Sequence, residues 1–310
     1  MMKIPAGVDA VAFYGSLVRG DSDRFSDRDV LLVSDDALAL KEAKNLMSKD
    51  GFSCACYSWQ KLGFLATRRA LFVQHLKQES RIITDRDLRL TSLLASYAPA
   101  CTYSKQIDAA RDLMSLTECF PKTIYGVGWA LDVLTVAFRN LSILTLANEG
   151  KYLFSFSAIL SELRKMGTIS LDHEDQLSSL RKYKASFRRK AYHLLPPKEK
   201  LFELKKIVGQ VFDTDPHSTP VSEDFFHNYC LHSNLALKSS HWYLKARLYE
   251  GAFLTLNHRP RRFEEGTSSR LQAIEEAITN PGCYSALFLN SAENLRTEIL
   301  DLAERELKAA

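Results

Sequence analysis

Apolar residues in the first hundred positions come in short runs separated by polar turns. Residues 8–14 form one such run, and it stops at Gly15-Ser16, the pattern of a strand entering a tight turn. Residues 30–33 are a second short run rich in valine and leucine. Residues 37–48 have helical spacing, with Asp50-Gly51 as a stop signal, and residues 52–57 suit a third strand. Leu62, Leu65, Leu71 and Leu76 place one or two helices over 59–77, and residues 81–84 suit a short edge strand. Strands alternating with helices over so short a stretch predict a small α/β domain.

After Pro99 the texture changes. Residues 107–116, 124–147, 154–166 and 173–192 all carry helical patterns, and Pro196-Pro197 closes the series because neither proline can continue a helix. Leu201, Leu204, Val208 and Val211 form a further apolar stripe. A polar break over 213–220 precedes three more predicted helices at 225–256, 270–278 and 292–307. The expected class is α+β: a small N-terminal α/β domain over residues 1–97, a helical domain over 98–197 and a C-terminal helical domain over 198–310.

Composition agrees with that division. A chain of 310 residues exceeds one typical domain, and 46% hydrophobic with 25% charged residues is a folded composition. Only 13 glycines and 9 prolines favour helix over sheet. The net charge of +4 permits an anionic partner without demanding one. Six cysteines, without paired CxxC spacing, suit reduced thiols in a cytosolic protein rather than a disulfide scaffold or a zinc site. The N-terminal residues show no secretory pattern. The most apolar long window, 129–147, contains Asp132 and Arg139 and suits a buried helix better than a membrane span. A cytoplasmic chain without membrane association is the expectation.

The chemistry concentrates between Gly15 and Val33. Asp27 and Asp29 are one residue apart at the start of an apolar strand, and strand side chains alternate, so both carboxylates are expected on one face. Two convergent carboxylates repel unless a cation compensates, and a hard divalent ion such as Mg²⁺ accepts that geometry. Arg28 between them is expected on the opposite face. Gly15 and Ser16 offer backbone amides and a hydroxyl to phosphate oxygens, aided by the amino end of the following helix, and Arg19 lies about a turn later. Taken alone, Asp-x-Asp is usually a solvated loop and Gly-Ser a turn; their combination between two apolar strands is far more specific. A metal pair beside a phosphate nest is a phosphoryl-transfer arrangement.

Gly15-Ser16, a ten-residue gap, then Asp27-x-Asp29 resembles the signature of the DNA polymerase β-like nucleotidyltransferase superfamily, in particular its minimal nucleotidyltransferase branch. The resemblance covers roughly residues 8–95. It implies a mixed sheet, binding of Mg²⁺ with ATP or another nucleoside triphosphate, and transfer of a nucleoside monophosphate to a hydroxyl on protein or RNA. It implies Asp27 and Asp29 as catalytic metal ligands, with Gly15, Ser16 and Arg19 as nucleotide contacts. Fully active members usually add a third carboxylate from a neighbouring strand. The matching place here falls near Ala55, and no acid lies between Gly51 and Arg69. Glu79, Asp85 and Asp87 are the later acids available to replace it. The missing acid motivates an alternative: a degenerate nucleotidyltransferase-fold regulator that binds a partner, in a toxin–antitoxin or defence setting suggested by the resemblance.

The helical remainder suits a domain that closes a nucleotide cleft or binds the acceptor. Some minimal nucleotidyltransferases associate instead with small helical proteins of the HEPN class, so a helical partner or a homo-oligomer is a further expectation. That class carries an arginine, four to six residues and a histidine as a ribonuclease motif, and Arg188 to His193 has a compatible spacing. Arg181, Lys182, Lys184, Arg188, Arg189 and Lys190 make the same segment basic. A solvated helix face explains them, and so does contact with triphosphate, RNA or an acidic protein. Arg259, Arg261 and Arg262 form a second basic patch. The histidines, including His227, His232 and His241, form no visible ligand cluster.

Overall fold

A computed structural model describes residues 7–118 and 124–213. The helices predicted beyond residue 220, the second basic patch and His227, His232 and His241 lie outside the described residues. The described chain forms two compact units. One takes residues 7–103 and 146–158, the other 104–145 and 159–213.

The first unit is built on a four-stranded mixed sheet in the order β3-β2-β1-β4. Its strands are β1 (Ala10–Tyr14), β2 (Asp29–Val33), β3 (Ser53–Tyr57) and β4 (Ser80–Asp85). β1 and β2 are antiparallel, joined through α1 (Ser16–Arg19) and an extended loop. β2 and β3 are parallel, joined by the crossover helix α2 (Ala37–Lys49), as a parallel pair requires. β4 pairs antiparallel with the other side of β1, so the predicted edge strand is found on an edge.

Alternation along the strands divides the apolar residues between two layers. Val11, Val30 and Leu32 pack with Ala39, Ala43 and Met47 of α2 on one face. Ala10, Ala12, Tyr14, Leu31 and Val33 pack on the other against Trp59 and Leu62 of α3 (Trp59–Thr67), Val73 and Leu76 of α4 (Leu71–Glu79), and Leu90 and Leu94 of α5 (Arg89–Ser96). Cys54 and Cys56 are half-buried beside the α2 layer, and burial pushes the Cys54 thiol up.

Local chemistry explains the helix boundaries. The Asp36 carboxylate accepts from the amides of Leu38 and Ala39 at the start of α2, and the Ser58 hydroxyl accepts from Lys61 at the start of α3. The one or two helices expected over 59–77 are two, α3 and α4. Arg69 turns left-handed (φ 54°) after α3, and the Ala70 amide reaches back to the Leu65 carbonyl.

The second unit is helical: α6 (Ser104–Ser115), most of α7 (Ile124–Asn148) and α8 (Phe156–Lys165), α9 (Leu171–Arg188) and α10 (Lys198–Val211). Among the described residues, α7 is the one helix long and apolar enough to cross a membrane, and 72% of its apolar window is buried inside the protein. Gly128 lets α7 make a close approach, since a Cβ there would stand 2.6 Å from Leu195 Cδ1 and 2.7 Å from Phe187 Cδ2. The helix predicted over 173–192 ends at Arg188. Lys190 adopts φ 58°, and the Ala191 amide closes on the Ser186 carbonyl, a left-handed stop before the proline pair.

Candidate functional site

The candidate site gathers at the carboxyl end of β1. Gly15 has φ 70° and ψ −141°, a conformation suited to glycine alone. Its amide donates to the Glu79 carbonyl at 3.1 Å, tying the turn to the end of α4. A Cβ on Gly15 would lie 3.4 Å from Asp29 Oδ2 and 3.7 Å from the His75 ring. The bare turn therefore brings the Asp29 carboxylate and the His75 imidazole to one place.

Asp29 is half-buried at the first position of β2, directly across from Tyr14. It lies on the same face as Leu31 and Val33. Arg28 turns to the other face, as expected, where it sits over the Phe52 ring at 4.0 Å and donates to the Asp50 carbonyl at 3.0 Å. Asp27 departs from the simple strand picture. β2 begins at Asp29, so Asp27 stands exposed in the preceding loop, where strand alternation does not set its direction. Its backbone carbonyl accepts from Ser16 Oγ at 3.3 Å, which ties Asp27 to the Gly15-Ser16 turn. The helix after that turn, α1, is a single turn long, so it contributes little dipole.

Arg19, expected to meet phosphate, is held by two carboxylates. Its Nε donates to Asp21 Oδ2 at 3.1 Å and its Nη1 donates to Glu79 Oε2. The same Glu79 oxygen lies 3.0 Å from His75 Nε2. An ionised carboxylate only accepts, so Nε2 carries the proton in this contact. Burial would push the Glu79 carboxyl up, but the His75 hydrogen bond and the charges of His75 and Arg19 outweigh it and hold the carboxyl below its ordinary range. Burial also opposes ionisation of Asp21, and bonds from Arg19 and Ser155 again prevail.

A distant stretch of chain completes the surroundings. Ser155 Oγ donates to Asp21 Oδ2 at 3.0 Å, and Phe154 stacks on the His75 ring with centroids 4.4 Å apart. Tyr14 meets that ring edge-on at 5.4 Å. Both Phe154 and Ser155 belong to the sheet-containing unit, although they follow α7 in sequence.

The three later acids separate clearly. Glu79 joins the Gly15 turn. Asp85 caps the start of α5 by accepting from the amides of Leu90 and Thr91. Asp87 lies in the left-handed turn before α5, with φ 58°. On β3, the residue opposite Asp29 is Ser53, while Ala55 lies opposite Leu31 and packs against the apolar layer. Neither offers a carboxylate. Among the described residues, no three Asp, Glu, His or Cys side chains are grouped to hold a metal ion. The donor chemistry of Asp27 and Asp29 nevertheless fits Mg²⁺, which commonly takes one or two carboxylates and fills its remaining positions with phosphate oxygens and water.

In the helical unit, Arg188 donates from Nε to Asp132 Oδ1 at 2.9 Å, and Asp132 is 1% exposed. The arginine of the Arg188 to His193 spacing is thus engaged with α7, while His193 is exposed in a short 3₁₀ turn.

His75 falls within the helical stretch predicted over 59–77, but Glu79 lies beyond it, and the i, i+4 pair forms because α4 runs on to Glu79. Nothing in local sequence pointed from Asp21 to Ser155 or from His75 to Phe154. The chain matches no protein-family model and no curated protein.

Proposed function

We propose that the chain is a Mg²⁺-dependent nucleotidyltransferase of the DNA polymerase β-like superfamily, minimal branch. It moves a nucleoside monophosphate from ATP or another nucleoside triphosphate to a hydroxyl on protein or RNA. The observation that carries this reading is the close approach of the Gly15 turn to the Asp29 carboxylate, at adjoining ends of two antiparallel strands. Position 15 favours glycine because L side chains rarely adopt its φ of 70°, and its Cβ position lies at ordinary contact distance from that carboxylate, so the bare turn sits directly beside it.

The residues divide the work. Gly15 and Ser16 present the turn, with Ser16 also tethering the Asp27 backbone. Asp29, held by β2, and Asp27, on the loop, supply oxygen donors for the metal. When bound, Mg²⁺ supplies charge neutralisation for the phosphates and the leaving pyrophosphate. Arg19 supplies a positive charge beside the turn. The acceptor's proton has no carboxylate on β3 to receive it, and the His75–Glu79 pair is a titratable pair beside the turn, the His75 ring lying 3.7 Å from the Cβ position of Gly15.

Labelled nucleoside triphosphates tested against protein and RNA acceptors, with intact-mass and gel readouts, examine the proposal. Mg²⁺-dependent label transfer that disappears in Asp29→Asn supports it. Transfer unaffected by that substitution rejects the site.

A second reading draws on the same geometry: a regulator that binds nucleotide or a partner without efficient turnover. Two features favour it, the absence of an acid at Ser53 or Ala55 and the engagement of Arg19 by two carboxylates. Nucleotide binding without transfer to any acceptor is its expected behaviour.

A further inference from the structure

We propose that Asp21 and Glu79 act as internal stand-ins for phosphate oxygens on Arg19, and that a compact polyanion reaches Arg19 by displacing Glu79 onto His75. This rests on the reading of Arg19 as an anion contact and adds how that contact is gated. Arg19 is the cation beside the Gly15 turn, and its guanidinium already makes the contacts that phosphate oxygens would make: Nε to Asp21, Nη1 to Glu79. The guanidinium fork matches carboxylate and phosphate alike, so the two compete for one set of donors.

Glu79 is the carboxylate built to exchange. Its Oε2 is shared between Arg19 and His75. Loss of Arg19 therefore leaves that oxygen a hydrogen-bond partner rather than stranding a buried charge. His75 is fixed to receive it, clamped between the face of Phe154 and the edge contact of Tyr14. Asp21 is the more exposed of the two and is braced by Ser155. With Asp29 at the same turn, one guanidinium faces a neighbourhood of carboxylates. A bare polyanion is disfavoured there, while one carrying its own divalent cation brings the compensating charge.

The distinguishing consequence is a gain of binding. Glu79→Gln keeps the shape and removes the competing charge, whereas a residue needed only for structure would weaken binding when changed. The probe is inorganic tripolyphosphate without divalent metal, titrated calorimetrically into the full chain. Glu79→Gln is expected to bind it about tenfold more tightly than wild type, equivalent to ~1.4 kcal/mol. Asp21→Asn, at a more exposed site, is expected to change affinity in the same direction by less. Arg19→Gln should abolish the response in either background. Thermal melting of each variant separates binding from unfolding, and Asp21→Asn keeps the test open should Glu79→Gln fold poorly. Unchanged or weaker tripolyphosphate binding in folded variants of both carboxylates overturns the gate. The nucleotidyltransferase reading fails separately, through Mg²⁺–ATP titrations in which Asp29→Asn has no effect.

Discussion

The two units each hold an arginine against buried or half-buried carboxylate, and the two clusters are built on opposite terms. In the helical unit, Asp132 is 1% exposed and meets Arg188 in a balanced pair. In the sheet unit, Arg19 meets Asp21 and Glu79 together, with His75 on the same Glu79 oxygen and Asp29 against the adjoining glycine turn. In that pair the buried partner is the carboxylate, which is already met by a guanidinium. The sheet cluster gathers several carboxylates around one guanidinium and one imidazole, an arrangement whose charge a divalent ion would complement. The difference fits Arg188 as a structural contact and, under the proposed function, the Arg19 cluster as the place for chemistry.

The largest expected effect comes from breaking the balanced pair. Arg188→Gln removes a charged partner of the buried Asp132 carboxylate, and loss of one partner of such a pair costs about 3–5 kcal/mol. Because Arg188 is 48% exposed, water offsets part of this, and a value near the lower end of that range is expected. Pairing it with Asp132→Asn should recover much of the stability in urea denaturation. Equal stability of Arg188→Gln and wild type would remove the structural assignment.

Acid should act on the other cluster. Asp21 and Glu79 both have folded-state pKa values lowered from their ordinary range. Such groups contribute stability above their unfolded pKa values, roughly 3.9 for Asp and 4.3 for Glu, and lose it as pH falls through the lower folded values. Glu79→Gln should therefore flatten the decline in melting temperature below about pH 5. A variant curve parallel to wild type throughout that range would place the sensitivity elsewhere.

The smallest effect is expected on the basic end of α9. Changing Arg188 would confuse charge with stability, so the useful triple variant is Lys182→Gln, Arg189→Gln and Lys190→Gln, all exposed positions. If an anionic macromolecule docks there, each lost phosphate contact should reduce the salt slope by about one. Anisotropy measured across salt concentrations reads it, and unchanged slopes would make this a solvated face.

The strands of the first unit were legible as short apolar runs bounded by turn residues, and most of its helices by helical spacing. Val30 and Leu32 face α2 while Leu31 and Val33 face α3–α5, so β2 is buried on both faces and reads as a continuous apolar run rather than an alternating one. Helix ends were less legible. Arg69 and Lys190 stop their helices in a conformation more typical of glycine, which side-chain pattern does not announce. The unit boundary was hidden for another reason. Residues 146–158 begin in the last turn of a long apolar helix yet belong with the sheet, and only the folded chain places Ser155 on Asp21.

Within the candidate site, Gly15, Ser16, Asp27 and Asp29 stood out through their spacing. Glu79 could not be chosen over Asp85 or Asp87 by sequence, because that choice depends on where α4 ends beside β1. Nor did strand alternation predict that Asp27 would precede the first residue of β2.

The most direct test of the account is calorimetric titration of Mg²⁺–ATP into wild type, Asp27→Asn and Asp29→Asn, with melting curves to establish folding. Each substitution is expected to weaken binding about tenfold or more, ~1.4 kcal/mol, with the larger loss at Asp29, while leaving the fold intact. Removal of one like charge can raise stability without metal. Metal–nucleotide affinity equal to wild type in both folded variants would contradict the assignment of this turn and these carboxylates as a nucleotide site.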